Sequence, residues 1–260
     1  MPKFAANLSM LWPDLDMYDR LPAAAEAGFS RVEILFVHTL DINRIQQLLD
    51  ENKLDLVLFD PAPGDWEAGE RGLACNPGRE SEFQRSIVEA LETAQRLGVQ
   101  RLNALNGIPR PEVSPETAHA KLVENFRWAA PQAESAGVKL LVENINTTDF
   151  PGYYVSSVER AAQLVKDVDQ PNVRVQLDQY HVGMMGGDAR AALRDYLELV
   201  EHVQIADVPG RHQPGTGQQP IREFLSDLDR LGYAGSVGLE YRPDGPTAAA
   251  LEWLPKSQRG

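Results

Sequence analysis

The sequence predicts an α/β chain folded as a single (β/α)8 TIM barrel over residues 1–260, and three observations lead there. Eight short runs rich in Leu and β-branched residues alternate with longer segments of helical period. No Pro/Gly/Ser linker, low-complexity tract or close internal repeat divides them. A length of 260 residues, long for one ordinary domain, is routine for an α/β barrel.

The elements follow in order. A first strand over 3–8 is succeeded by "SMLWPD", which lacks the Gly-rich phosphate fingerprint expected of a doubly wound open sheet, so the closed cylinder is preferred. Strands over 31–37 and 54–59 flank "INRIQQLL", and Asp41 stands before it as a capping side chain. After a strand over 99–106, Ser114 followed by Pro115 marks another helix start. The strand over 138–145 leads to Ser156 or Ser157 before "VERAAQLV", in which Val158, Ala161, Ala162 and Val165 recur at i, i+3, i+4 and i+7. Strands over 173–179 and 202–207 come next. Ile221, Phe224, Leu225 and Leu228 repeat the one-sided helical spacing before a last strand over 236–241. Strict alternation of this kind implies a parallel sheet.

Composition narrows the function. Lys and Arg number 25 against 38 Asp and Glu, a formal charge of -13 that repels a phosphate backbone, so no nucleic-acid partner is expected. No apolar run approaches membrane-spanning length, and the opening segment is interrupted by Asn7, Pro13 and Asp14 without a cleavage motif. A lone Cys75 excludes an intramolecular disulfide framework and fits a reducing compartment. A cytoplasmic protein away from membranes is the expectation. Barrels of this kind often pair as homo-oligomers through helices or loops, and the sequence does not set the number of copies.

Side chains alternate faces along a strand, so the chemistry can be read by parity. In "KLLVENIN", Leu141 and Glu143 oppose Leu140 and Val142; in the next strand, Gln176 and Asp178 oppose Val175 and Leu177. His202 and Gln204 oppose Val203 and Ile205, and Gly238 and Glu240 oppose Val237 and Leu239. If the second face looks into the cylinder, Glu143, Asp178, Gln204 and Glu240 converge at its C-terminal mouth, where barrel enzymes keep their active sites. Three carboxylates do not share such a space ionised without a cation. The all-oxygen donor set suits Mg2+, with Mn2+ close behind, better than Zn2+.

At these residues a likeness emerges. "LLVENIN", "VQLDQYH", "HVQIAD" and "GLEYRP" resemble the hydroxypyruvate isomerase family of the xylose-isomerase-like barrel superfamily. "KFAANLSMLW", "PAPGDWEAGERGLACNPGRESEF", "LVENFRWAA" and "PGTG" extend the resemblance over nearly the whole chain. It implies a metal site of Glu143, Asp178, Gln204 and Glu240, with Glu143 and Glu240 as the acid/base pair. It also implies a small hydroxy-keto acid as substrate, interconverted between hydroxypyruvate and tartronate semialdehyde through an enediolate. In related sugar epimerases a His usually stands where Gln204 does. A 2-oxo-tetronate isomerase or a ketose 3-epimerase with a sugar substrate is the alternative within the same superfamily.

Four further residues are candidates for holding the substrate. His181, three residues beyond Asp178, can hydrogen-bond a substrate oxygen. Arg71 and Arg211 offer a cation to its carboxylate, and Trp66 can wall the pocket. Asn7 and Glu33 are expected to be internal polar residues of the barrel.

Overall fold

The computed structural model describes residues 2–260. Eight strands, β1 (Lys3–Asn7), β2 (Arg31–Glu33), β3 (Asp55–Leu58), β4 (Arg101–Asn103), β5 (Lys139–Glu143), β6 (Val173–Asp178), β7 (Val200–Ile205) and β8 (Ser236–Leu239), form one sheet. Its order is β3-β2-β1-β8-β7-β6-β5-β4, with every ladder parallel. The cylinder closes between β3 and β4 by one parallel bridge, Phe59 to Leu102, where the Asn103 amide donates to the Phe59 carbonyl at 3.1 Å. Predicted strands overran at β2 and β4, because past Glu33 and Asn103 the chain leaves the ladder for loops.

Helices α1 (Met17–Glu26), α2 (Ile42–Asn52), α3 (Glu80–Leu97), α4 (Pro115–Ser135), α5 (Val158–Val168), α6 (Gln179–Met184), α7 (Ala189–Tyr196), α8 (Ile221–Arg230) and α9 (Thr247–Ala250) lie between and after the strands. Their starts follow side-chain chemistry. Asp41 accepts from the amides of Asn43 and Arg44, Ser114 from Thr117, and Ser157 from Arg160. Helix α5 buries Val158, Ala161, Ala162, Leu164, Val165 and Val168 on its sheet side. Each such fully buried aliphatic larger than Ala contributes about 1.5–3 kcal/mol.

The two faces of the strands divide as parity requires. Leu140, Val142, Val175, Leu177, Val203, Ile205, Val237 and Leu239 join the main core under the helices. Ala5, Val57, Leu58 and Leu141 form a separate apolar plug, which we place inside the cylinder because Leu141 and Ala5 share a face with Glu143 and Asn7. Toward the C-terminal ends of the strands, the buried side chains that share this face include Asn7, Glu33, Asn103, Glu143, Asp178, Gln204 and Glu240.

Candidate active site

The first polar layer is built around Glu33 at the end of β2. Its carboxylate accepts from Asn7 Nδ2 (3.1 Å), His202 Nε2 (2.6 Å) and Gln204 Nε2 (3.0 Å), and the side chain is wholly buried. Gly238 makes room for it: a Cβ there would stand 2.2 Å from Glu33 Oε1. Gln204 in turn accepts at Oε1 from Gln176 Nε2 at 2.6 Å.

The second layer lies at the mouth. Glu143 and Asp178 end β5 and β6, and Glu240 follows the last residue of β8, so three strands deliver a carboxylate to one level. All three are at least 95% buried. Asn103, at the end of β4, donates to Glu143 Oε2 at 2.7 Å. Asp178 caps α6: its Oδ1 accepts from the Tyr180 amide at 2.7 Å, which leaves Oδ2 facing the mouth. That helix begins immediately after β6, so His181 falls three residues on and on the same side. Its Nε2 stands 3.4 Å from Asp178 Oδ2 and 3.8 Å from Glu143 Oε1.

One cation enters this layer from within the chain. Arg211 takes a left-handed backbone (φ 56°) in the loop after β7 and turns its guanidinium inward. Nη2 lies 2.9 Å from Glu240 Oε1 and 3.4 Å from Asp178 Oδ2, and the group rests on the Tyr180 ring at 4.7 Å. The loop is folded around Asp207, which accepts from the amides of Val208, Gly215 and Gln219.

One guanidinium does not balance three buried carboxylates. Burial lifts Asp178 to about 6 against the pull of Arg211, and lifts Glu240 to about 8, with Arg211 again opposing and Asp178 adding to the rise. Glu143 is pushed well above the carboxylate range by burial and then by Glu240, Asp178 and Asp60. Burial, and then Arg211, hold His181 neutral. Oxygens of Asp60, Asn103 and Gln176 are buried without a hydrogen-bond partner among the described residues. Excess negative charge and spare hard oxygen donors fit a divalent cation. Glu143, Asp178 and His181 each bring a candidate ligand atom to within 4.8 Å of the others, and this buried cluster marks where a metal ion can sit.

The predicted residues are thus sorted by the structure. Glu143, Asp178, Glu240, His181 and Arg211 share the mouth, while Gln204 sits against Glu33 and Gln176. Trp66 and Arg71, from the loop after β3, stand on an aromatic wall: the Arg71 guanidinium lies 3.7 Å from the Trp66 ring, Trp66 and Phe150 centroids are 6.5 Å apart, and Phe150 is 6.3 Å from His181. Sequence reading missed Asn103, Asn146, Phe150 and Tyr180. Asn103 could have been found by the parity that found Glu143, whereas Phe150 and Tyr180 carry no such signal.

Comparison with known proteins agrees with this fold. The xylose isomerase-like TIM barrel family matches residues 21–257. A 2-oxo-tetronate isomerase of Cupriavidus necator is 41% identical over 254 residues, 98% of each chain, and the hydroxypyruvate isomerase of Escherichia coli is 39% identical with the same coverage. A Brucella melitensis crystal structure described as a family 2 AP endonuclease superposes with a TM-score of 0.95 at 42% identity over 98% of both chains. No helix among the described residues is long and apolar enough to cross a membrane. An eight-stranded parallel cylinder with its buried acids gathered at the C-terminal mouth, matched over full length by such relatives, belongs to the xylose isomerase-like TIM barrel family.

Proposed function

We propose that the chain is an isomerase of small hydroxy-keto acids that interconverts hydroxypyruvate and tartronate semialdehyde. The observation that carries this is the pair Glu143 and Glu240, buried three strands apart around one mouth and flanking Arg211 and His181, in a chain 39% identical to a hydroxypyruvate isomerase.

The chemistry is a proton transfer between adjacent carbons, and each group has a part in it. Glu143 and Glu240 remove and return the proton. Glu143, Asp178 and Glu240 would hold Mg2+ or Mn2+, with Gln204 Oε1, which also accepts from Gln176, as the fourth donor from the layer below. Such an ion supplies neutralising charge for the negative charge that develops on the substrate oxygens. His181 donates to a substrate oxygen from Nε2. Arg211 balances the acids from the β7 side. Arg71 suits the substrate's carboxylate: its Nη1 donates to the carbonyls of Trp66 and Glu70, which aims the guanidinium and, among the described residues, leaves its other donors open. Trp66 and Phe150 exclude water from that side.

The name of the 41% identical relative supports 2-oxo-tetronate, one carbon longer, as the alternative substrate. Hydrolysis of DNA, raised by the description of the Brucella structure, fits poorly. A charge of -13 repels DNA, and the metal-competent cluster holds a single His among the described residues. The test is incubation with hydroxypyruvate, 2-oxo-tetronate and a panel of ketoses in deuterated water, with and without a chelator. Expected is deuterium-labelled tartronate semialdehyde, lost on chelation; turnover of ketoses alone would overturn the substrate.

A further inference from the structure

We propose that Asn146 is a positioning residue that fixes the tautomer of His181, so that Nε2 presents a proton to the substrate instead of a lone pair to a metal. The inference deepens the isomerase reading and rests on it for the identity of the substrate, but not for the tautomer itself.

Asn146 follows Glu143 by three residues, on the loop leaving β5. Its Oδ1 accepts from the amides of Thr148 (3.0 Å) and Asp149 (2.7 Å), the turn that Asn side chains favour. Two main-chain donors on that atom identify it as the oxygen, so the other end of the amide is the NH2 group. That group has two hydrogens and two acceptors: Asp149 Oδ2 at 3.0 Å and His181 Nδ1 at 2.6 Å. Asp149 is itself held by the Tyr180 hydroxyl, which donates to Oδ2 at 2.8 Å.

An amide nitrogen donates and does not accept, so Nδ1 of His181 is the acceptor and carries no hydrogen. In a neutral ring the proton then sits on Nε2. An imidazolium, or the other tautomer, would turn an N–H into the Asn146 NH2 group. The protonated Nε2 is the atom that faces Asp178 and Glu143. His181 therefore stands within ligating distance of the carboxylates yet offers no lone pair. Any ion is left to the oxygens, and His181 is left to donate to the reacting substrate. The clamp works at one remove from the chemistry, as partners of the outer shell do in metal sites.

The ring nitrogens can be read directly by 15N NMR, with His181 assigned by the signal lost in His181→Gln. Expected in the native protein, with or without Mg2+, is a protonated Nε2 and a bare Nδ1. A protonated Nδ1, or an Nε2 that becomes bare when Mg2+ is added, overturns the proposal. Asn146→Asp keeps the Oδ1 acceptor of the turn but replaces the NH2 group by oxygen, so Nδ1 should become protonated and kcat should fall about 10²-fold with KM little changed. An unchanged ring pattern in that variant also overturns the proposal. If the native protein turns over none of the acids, the isomerase reading fails, while the ring measurement still decides the tautomer.

Discussion

Two layers of buried carboxylate lie inside one cylinder and differ in how they are compensated. Glu33, in the lower layer, accepts from three donors, one at the end of β1 and two on β7. Glu143, Asp178 and Glu240, in the upper layer, share one guanidinium and a few neutral donors, and all three are pushed upward in pKa. A buried acid whose lone pairs are met by the protein is part of the architecture. A buried acid left short of partners stores an unfavourable interaction that a bound cation or substrate relieves.

Substitution should split the two layers. Glu143→Gln or Glu240→Gln is expected to keep the fold and cut proton exchange by about 10²- to 10⁴-fold. Glu33→Gln puts an NH2 group among donors and is expected to lower unfolding stability by about 3 kcal/mol. Deuterium incorporation and denaturant melts separate these outcomes, and full activity in either mouth variant would remove that Glu from the mechanism. A smaller effect is expected at Gly238→Ala, whose added methyl meets the Glu33 carboxylate at 2.2 Å. Overpacking of this kind costs about 1–3 kcal/mol, and an unchanged melting midpoint would show that the lower layer yields easily.

The gentlest probe is pH. With chelator present, Glu240 at about 8 holds its proton in the folded chain where the unfolded chain has lost it. The folded state then binds more protons, so stability falls as pH rises toward 8, by at most about 1.4 kcal/mol per pH unit for one group. His181 and His38, both lowered chiefly by burial, act in the opposite sense, but only below about pH 6.5. Chemical denaturation between pH 7 and 8.5 should show the fall, and Glu240→Gln should reduce it. A native chain whose stability rises through that window would contradict the account of the upper layer.

Much of this was legible in the sequence because a strand has period two. Glu143, Asp178 and Glu240 each follow an apolar run of fixed parity, so their convergence required only a closed sheet. Asn103 obeys the same rule but sits in a strand of three residues, too short to show a pattern. Arg211 was recognisable as a cation near the mouth, yet its burial among the acids depends on a left-handed backbone and a loop wound around Asp207, and both are tertiary outcomes. The tie between Asn146 and His181 spans two strands and leaves no periodic trace, although the Asn-Thr-Thr-Asp turn that aims Asn146 is local.

The ring of strands is stitched unevenly, and that has a mechanical consequence. Ladders of several residues bind β5 to β6, β6 to β7 and β7 to β8, the staves that carry or border the acids, whereas β3 and β4 meet at one bridge. The loop bearing Trp66 and Arg71 springs from β3, beside that join. Amide hydrogens at the join should therefore exchange with solvent sooner than those of β6. The wall that admits the substrate can then breathe while the staves beneath the carboxylates stay still.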